Sequence, residues 1–284
     1  LDELEDITDI IVRSLDSLLD YQDYPLKSAE ITSNNRRTVR MGVTNLAYYL
    51  AKNDAKYSDG SGNDLIHKTF EALQYYSLKA SNEIAQEFGP CPLFSETQYA
   101  KGIMPIDSYK KDIDKFCNTK LELDWDTLRK NIQEKGLRNS TLTALMPCES
   151  SSQISNSTNG IEPPRGFISV KQSKDGILKQ VVPEYEKLHK KYELLWDIKD
   201  NEGYLQLCAI MQKFVDQSIS TNTHYDPSQY DGNRVPMKLF LMDLLKAYKY
   251  GIKTLYYHTT RDGASDESIE KKGDDDCEDG VCKL

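Results

Sequence analysis

Two cysteines near the end of the chain, Cys277 and Cys282, have the spacing of a thiol pair that could exchange disulfides. They lie in a segment, starting at Asp262, that holds nine acidic residues and three lysines. Such a segment repels itself and has few apolar residues to bury, so we predict a disordered tail over residues 263–284. A thiol pair on a tail is suited to carry electrons between a buried site and an outside reductant.

Other roles for this pair need to be weighed. No histidine or third cysteine lies near enough in sequence to complete a four-ligand zinc site. A structural disulfide requires an oxidising compartment. A tail without any function is a further alternative. The six cysteines of the chain are scattered, which is typical of reduced thiols in a cytosol.

A second candidate site is rich in small hydroxyl residues and follows a short strand predicted over residues 142–146. It opens a predicted helix just after Pro147. The N–H groups of a first helical turn, the positive end of the helix dipole and nearby hydroxyls together suit a phosphate. The alternative is ordinary serine capping without a ligand. The residues of this site are Cys148, Glu149, Ser150, Ser151 and Ser152.

The third candidate is the adjacent pair Tyr256 and Tyr257, on a strand predicted over residues 252–257. Consecutive strand residues face opposite ways, so such a pair is typical of two packed rings. The alternative is a redox-active pair with one ring toward each side of a transfer path, and local physics does not choose between them. The four histidines lack metal-ligand spacing, and no Ser-His-Asp or carboxylate pair stands out, so we predict no metal site.

Helical patterns alternate with short strand-like runs along the chain, which predicts an α/β architecture of the barrel type. The predicted helices cover residues 1–19, 45–52, 64–88, 125–135, 184–197, 204–216 and 236–250. The predicted strands cover residues 37–44, 142–146, 218–221 and 252–257, with a hairpin over residues 166–182.

The first predicted helix has a wide apolar stripe but no capping residue before it. We therefore expect the chain to be the C-terminal part of a longer protein, in which other segments cover the stripe. The net charge of −9 and the pI near 5.1 argue against binding to nucleic acid. The chain has no apolar run of membrane-spanning length, no signal-like segment and no lipidation motif, so we predict a cytoplasmic protein without membrane contact.

Taken together, these motifs resemble the large (alpha) subunit of class Ia ribonucleoside-diphosphate reductase, of the enterobacterial and T-even-phage type. The resemblance extends over the whole chain and over about the last third of that subunit. It is carried by residues 145–154, 159–166 and 254–257, by the Cys277 and Cys282 pair, and by the stretch 19–25.

The resemblance implies the C-terminal part of a ten-stranded α/β barrel, formed by residues 1–262 and incomplete alone. It implies that Tyr256 and Tyr257 relay a radical from the small (beta) subunit, with Arg261 helping to order the path. Cys277 and Cys282 would re-reduce an active-site disulfide and be regenerated by thioredoxin or glutaredoxin.

The serine-rich site, by the same resemblance, holds the diphosphate of a ribonucleoside diphosphate. Cys148 departs from the Ser or Thr that is more common there, which removes one hydroxyl contact and leaves the backbone amides. Three further cysteines match none of the family's motifs, and we interpret them as structural: Cys91, Cys117 and Cys208.

The implied activity is the reduction of ribonucleoside diphosphates to 2′-deoxyribonucleoside diphosphates for DNA precursor synthesis, in an enzyme assembled from several parts. The partners are the N-terminal part of the alpha subunit, an alpha dimer mate and the beta subunit. No cofactor would bind this chain: the diiron-tyrosyl radical belongs to the beta subunit, and nucleotide effectors bind the missing N-terminal region. The rival interpretations are a docking or regulatory module for a beta-type subunit and a free-standing thiol–disulfide carrier.

Overall fold

A computed structural model describes residues 3–173 and 176–261, which form ten α-helices and four strands. No helix within these ranges is long and apolar enough to cross a bilayer. The helices are α1 (Leu4–Tyr21), α2 (Lys27–Arg36), α3 (Leu46–Lys52), α4 (Asn63–Phe88), α5 (Pro105–Ser108), α6 (Trp125–Lys135), α7 (Glu149–Ile154), α8 (Tyr185–Leu188), α9 (Glu202–Gln212) and α10 (Met237–Tyr250). The strands are β1 (Ile168–Ser173), β2 (Gly176–Val181), β3 (Thr221–Tyr225) and β4 (Leu255–Thr260).

Parallel extended segments lie side by side in the order in which they occur along the chain. An isolated parallel bridge joins Met41 to Thr143, another joins Leu145 to Ile219, and β3 then pairs with β4 in parallel. Helices fill each crossover between these segments. Sequential parallel neighbours with helical crossovers are the arrangement of an α/β barrel. The α/β prediction is therefore confirmed; the ladder is open within the described residues, and the count of ten strands stays a prediction.

The helix α4 forms the centre of the core and contacts α1, α6 and α9. Most of its apolar residues are buried, and it also buries the carboxylate of Glu71. That carboxylate accepts hydrogen bonds from the backbone N–H groups of Glu122 and Leu123 and from the indole of Trp125. A buried charge needs such partners, and they fasten the segment before α6 onto α4.

The helix α1 docks on this core through a buried ion pair and leaves its other face exposed. The Asp16 carboxylate accepts from Arg37 Nε at 2.7 Å, and Arg37 also contacts Asp20. On the outer face, Ile10 is 64% exposed and Leu18 is 55% exposed. Part of the apolar stripe predicted for this helix is therefore uncovered in the described part of the chain.

The prediction of one continuous helix over residues 184–197 is wrong. Only α8 and a 3-10 turn at Leu195–Asp197 are helical there. The N–H of Leu195 donates to the carbonyl of Pro164 at 2.9 Å, and the hydroxyl of Tyr192 donates to the carbonyl of Pro183 at 2.8 Å. These contacts with other segments replace the ladder of a regular helix. The strand predicted over residues 37–44 is reduced to one isolated bridge, at Met41, and the strand predicted over residues 142–146 is reduced to two, at Thr143 and Leu145.

The predicted hairpin is confirmed as the antiparallel pair β1 and β2. Its register places Ser173 opposite Gly176, so the connection is two residues long. The Gln180 carboxamide on β2 donates to the carbonyl of Ser157 at 3.0 Å, which ties the hairpin to the loop that follows α7.

Candidate functional site

The pairing of β3 with β4 contains a bulge at the tyrosine pair. Thr221 lies opposite Leu255, and the next pairing joins Thr223 to His258, so one residue of β3 faces two residues of β4. A bulge breaks the regular alternation of side chains and increases the local twist. The two tyrosines are therefore freed from the rule that consecutive strand residues point to opposite faces.

The rings of Tyr256 and Tyr257 contact each other at the surface. Their centroids lie 4.0 Å apart with an angle of 48° between the ring planes, and the residues are 48% and 58% exposed. The expectation that the pair faces opposite ways is wrong, because the bulge turns both rings to one side. The hydrogen bond with the Tyr257 hydroxyl raises the pKa of Tyr256. Each phenol can donate and accept a hydrogen bond, so the pair can pass a proton as well as an electron.

One half-buried side chain of β3 holds the bulge through a hydrogen bond. The Asn222 Oδ1 accepts the backbone N–H of Tyr257 at 2.9 Å, and its Nδ2 donates to Glu162 Oε1. Burial raises the pKa of the Glu162 carboxyl, and the bond from Asn222 lowers it in part. Sequence reasoning missed both residues as members of the site, since they lie 60 positions apart and form no local pattern.

Arg261 fixes the end of β4. Its backbone N–H donates to the carbonyl of Tyr225 at 2.9 Å, and its guanidinium donates to the buried Asp226 at 3.0 Å. Burial pulls the pKa of Asp226 up, but hydrogen bonds from Ser228 and Arg261 more than offset this and hold it below its ordinary value. Arg261 thus joins the end of the strand that carries the tyrosines to the segment after β3.

The serine-rich site forms the short helix α7, as predicted, with Cys148 at its N-cap. The first backbone bond of the helix joins the N–H of Ser152 to the carbonyl of Cys148 at 2.9 Å. The preceding N–H groups of such a turn have no acceptor inside their own helix. Glu149, Ser150 and Ser151 are exposed on this turn, whereas Cys148 and Ser152 are buried.

Several side chains of α7 cap carbonyl groups of its own turn. The Ser151 hydroxyl donates to the carbonyl of Cys148 at 3.2 Å, and the Ser152 hydroxyl donates to the carbonyl of Glu149 at 3.0 Å. The Cys148 thiol lies 3.2 Å from the carbonyl of Met146, and burial raises its pKa. Exposed first-turn groups at Ser150 and Ser151 are therefore the ones best placed to meet an anion.

The serine-rich turn and the bulge follow neighbouring, bridged segments of the parallel ladder. A parallel bridge joins Leu145 to Ile219. The helix α7 begins four residues after Leu145, and Asn222 lies three residues after Ile219. α7 is therefore beyond the carboxyl end of its segment, where active sites of α/β barrels are built, whereas Asn222 is the second residue of β3. Glu162, from the loop that follows α7, connects the two sites through its contact with Asn222.

The four cysteines within the described residues are free thiols and are all buried. Burial raises the pKa of each thiol, in the case of Cys208 to about 12. A thiol that stays protonated is a poor nucleophile, which agrees with a structural role for Cys91, Cys117 and Cys208. The predicted redox pair, Cys277 and Cys282, lies outside the described residues. Within residues 3–173 and 176–261, no group of three or more His, Cys, Asp or Glu side chains could hold a metal ion.

The fold and the motifs agree with a comparison against known families. The sequence model of the family described as "Ribonucleotide reductase, barrel domain" matches residues 1–258 of this chain. The chain therefore belongs to the ribonucleotide reductase barrel-domain family, which confirms the resemblance identified from the motifs.

Individual relatives make the comparison more specific. The chain is 65% identical to the ribonucleoside-diphosphate reductase subunit alpha of Haemophilus influenzae, over 96% of this chain and 36% of the relative. It is 63% identical to ribonucleoside-diphosphate reductase 1 subunit alpha of Escherichia coli, over 94% of this chain and 35% of the relative. The subunit alpha of phage T4 is 49% identical over the full length of this chain and 37% of its own. The chain thus spans about a third of the length of these curated relatives.

Proposed function

We propose that this chain is the C-terminal portion of the alpha subunit of a ribonucleoside-diphosphate reductase, active as an oxidoreductase only in the assembled enzyme. In that enzyme the chain contributes the last steps of radical transfer and the contact with the substrate diphosphate. It also contributes the thiol pair that reduces the active-site disulfide after each turnover. The observation that carries the proposal is the surface contact between the rings of Tyr256 and Tyr257 at the β4 bulge.

The tyrosine pair relays one oxidising equivalent. Tyr257 gives an electron and its phenolic proton toward the beta subunit and then recovers both from Tyr256. Tyr256 in turn takes an electron and a proton from a cysteine thiol in the N-terminal part of the subunit. The diiron-tyrosyl cofactor expected in the beta subunit supplies the initial oxidising equivalent when it is bound there. The exposure of both rings supports a path that enters from another subunit.

The exposed first turn of α7 binds the substrate diphosphate. The N–H groups of Ser150 and Ser151 and the Ser150 hydroxyl meet the phosphate oxygens, assisted by the helix dipole. Glu149 lies in the same exposed first turn, where its negative charge interacts favourably with the positive end of the helix dipole. The position of α7 beyond the end of a parallel segment supports this role.

The electrons for each turnover come through Cys277 and Cys282. Their thiols reduce a disulfide left in the active site by disulfide exchange and become a disulfide themselves. Thioredoxin or glutaredoxin then reduces this pair. The burial of all four thiols in the described part of the chain leaves the terminal pair as the candidates for exchange with an outside reductant.

The proposed partners are the N-terminal part of the alpha subunit, an alpha dimer mate and the beta subunit. The uncovered apolar face of α1, with Ile10 64% exposed, supports the first of these contacts, because an exposed apolar stripe of this kind marks an interface. A cytoplasmic location follows from this assignment and stays part of the proposal.

The decisive experiment measures thioredoxin-dependent reduction of CDP. This chain is mixed with the N-terminal part of an alpha subunit and an iron-loaded beta subunit, and each component is omitted in turn. Activity that requires all components and disappears in Tyr256→Phe would support the proposal. Stable association of the components without any reduction of CDP would overturn it and favour a docking module.

A further inference from the structure

A carboxamide and a carboxylate form an ordered chain of hydrogen bonds behind the β4 bulge. The Tyr257 N–H donates to Asn222 Oδ1, and Asn222 Nδ2 donates to Glu162 Oε1. A backbone N–H can only donate, so the oxygen of the carboxamide has to face β4 and its NH2 group has to face Glu162. Glu162 therefore fixes which way the amide of Asn222 is turned.

Glu162 is itself held in place by its loop. Its N–H donates to the carbonyl of Asn159 at 3.2 Å, and the next residue is Pro163, whose ring fixes the backbone angle φ. The carbonyl of Pro164 accepts the N–H of Leu195 at 2.9 Å. A carboxylate on such a constrained loop can act as a fixed reference for the side chain that it contacts.

The orientation of the Asn222 amide matters because the bulge determines which face of β4 each side chain points to. If Asn222 turned its NH2 group toward β4, two donors would meet and the bulge would lose this acceptor. A slip of one residue in the pairing moves side chains from one face to the other. The contact between Tyr256 and Tyr257 would then be lost.

We propose that Glu162 and Asn222 are a positioning pair that holds the β4 bulge and so keeps the rings of Tyr256 and Tyr257 in contact. Neither residue touches the reacting atoms. The inference rests on the proposed radical transfer and names the residues that set its geometry.

The charges around Glu162 decide how this pair can be tested. Arg165 lowers the pKa of Glu162 and Glu149 raises it, both from a distance, in addition to the effects of burial and of Asn222. The other titratable neighbours stay neutral near neutral pH, because burial raises the pKa of each. These neighbours are Tyr57, Tyr204 and Cys208.

The first variant is Asn222→Asp, made in the alpha subunit assembled with its beta partner. The new carboxylate can still accept the Tyr257 N–H, but it faces Glu162, and two adjacent carboxylates cannot both be ionised cheaply. We expect CDP reduction to fall by about tenfold or more near pH 8, the loss that corresponds to about one hydrogen bond. The activity of the variant relative to that of wild type should rise as the pH is lowered to about 6, because the two carboxylates then share a proton.

The second variant combines Asn222→Asp with Glu162→Gln. The glutamine amide can donate to the new carboxylate, which restores the bond between the two side chains with its direction reversed and keeps the bond from the Tyr257 N–H. We expect activity to return to within about threefold of wild type and the pH dependence to disappear. The control is Asn118→Asp, the same chemical change at an exposed asparagine far along the chain from the bulge.

Two further measurements separate this inference from the proposed function. Tyr257→Phe is assayed in parallel, and a fluorotyrosine at position 256 reports the ring environment by 19F NMR. Wild-type activity of Asn222→Asp near pH 8, together with an inactive Tyr257→Phe, would overturn the positioning pair and leave the radical role intact. An active Tyr257→Phe would overturn the radical role. The 19F chemical shift of residue 256 then tests the positioning pair. A shift that changes in Asn222→Asp and returns to the wild-type value in the double variant supports the pair. A shift that is the same in Asn222→Asp as in wild type overturns it.

Discussion

The rings of Tyr256 and Tyr257 lie 4.0 Å apart although the two residues are consecutive in a β-strand. In a regular strand their side chains would leave on opposite faces. The bulge between β3 and β4 removes that restriction and leaves both rings about half exposed. This arrangement suits the proposed relay, because the two rings contact each other and are accessible to another subunit.

Replacing either tyrosine of this pair by phenylalanine should abolish nucleotide reduction. A phenyl ring keeps the packing but has no phenolic proton to transfer, so we expect kcat to fall by about a hundredfold or more with little change in KM. The chain offers a matched control in Tyr75 and Tyr76, a second adjacent pair whose ring centroids are 5.5 Å apart on α4. Tyr76→Phe should retain activity. Equal losses in Tyr76→Phe and Tyr257→Phe would contradict a specific relay.

Removing the Ser150 hydroxyl should weaken substrate binding. If this exposed hydroxyl meets the diphosphate, Ser150→Ala loses one charge-assisted hydrogen bond, and KM for CDP should rise about tenfold with kcat unchanged. Ser155→Ala is the comparison, because the Ser155 hydroxyl contacts Ser157 at 2.6 Å on the other end of α7. An equal effect of both substitutions would point to helix stability instead of phosphate binding.

The ion pair between Arg261 and Asp226 should make part of the stability depend on pH. The folded state holds the pKa of Asp226 below its ordinary value. This stabilisation is therefore complete above the ordinary pKa of about 3.9 and is lost as pH falls through the lower folded value. Because Arg261 is partly exposed, we expect Arg261→Gln to cost only about 1 kcal/mol near neutral pH.

Urea unfolding of the wild type and of Arg261→Gln at neutral and strongly acid pH measures this contribution. The difference in the free energy of unfolding should shrink in acid. Arg234→Gln, at an exposed arginine before α10, serves as the control. A difference that is the same at both pH values would exclude Asp226 as the titrating partner.

The buried thiols should resist alkylation in the native protein. Burial raises the pKa of all four, so little thiolate is present near pH 8 and iodoacetamide should spare them until the protein unfolds. Mass spectrometry of peptides after a short exposure measures this directly. Rapid native alkylation at any of these sites would contradict the burial: Cys91, Cys117, Cys148 and Cys208.

The terminal thiol pair is tested by Cys282→Ser in the assembled enzyme. We expect the variant to lose turnover with thioredoxin and to keep turnover with a small dithiol that can reach the active-site disulfide unaided. The matched control is Cys91→Ser, which removes a buried thiol of the core. Loss of activity with both reductants would indicate a role other than electron delivery.

Local patterns predicted the helices better than the strands. Helical periodicity located α1, α4, α6 and α10 to within a few residues, because an apolar stripe repeats many times along a long helix. The parallel segments are short, and two of them pair only through single bridges at Met41 and Leu145. Nothing in their own sequence shows where a partner more than 70 residues away will pair.

The sequence by itself determined the candidate chemistry and the family, because the tyrosine pair, the serine-rich turn and the terminal cysteines are motifs of neighbouring residues. The tertiary structure decided how the first two are presented. Glu162 and Asn222 are 60 residues apart, and Asn222 and Tyr257 are 35 residues apart, so only folding brings them together at the bulge. The reason is physical: a bulge is a property of two paired strands and of the side chains behind them, and no single strand encodes it.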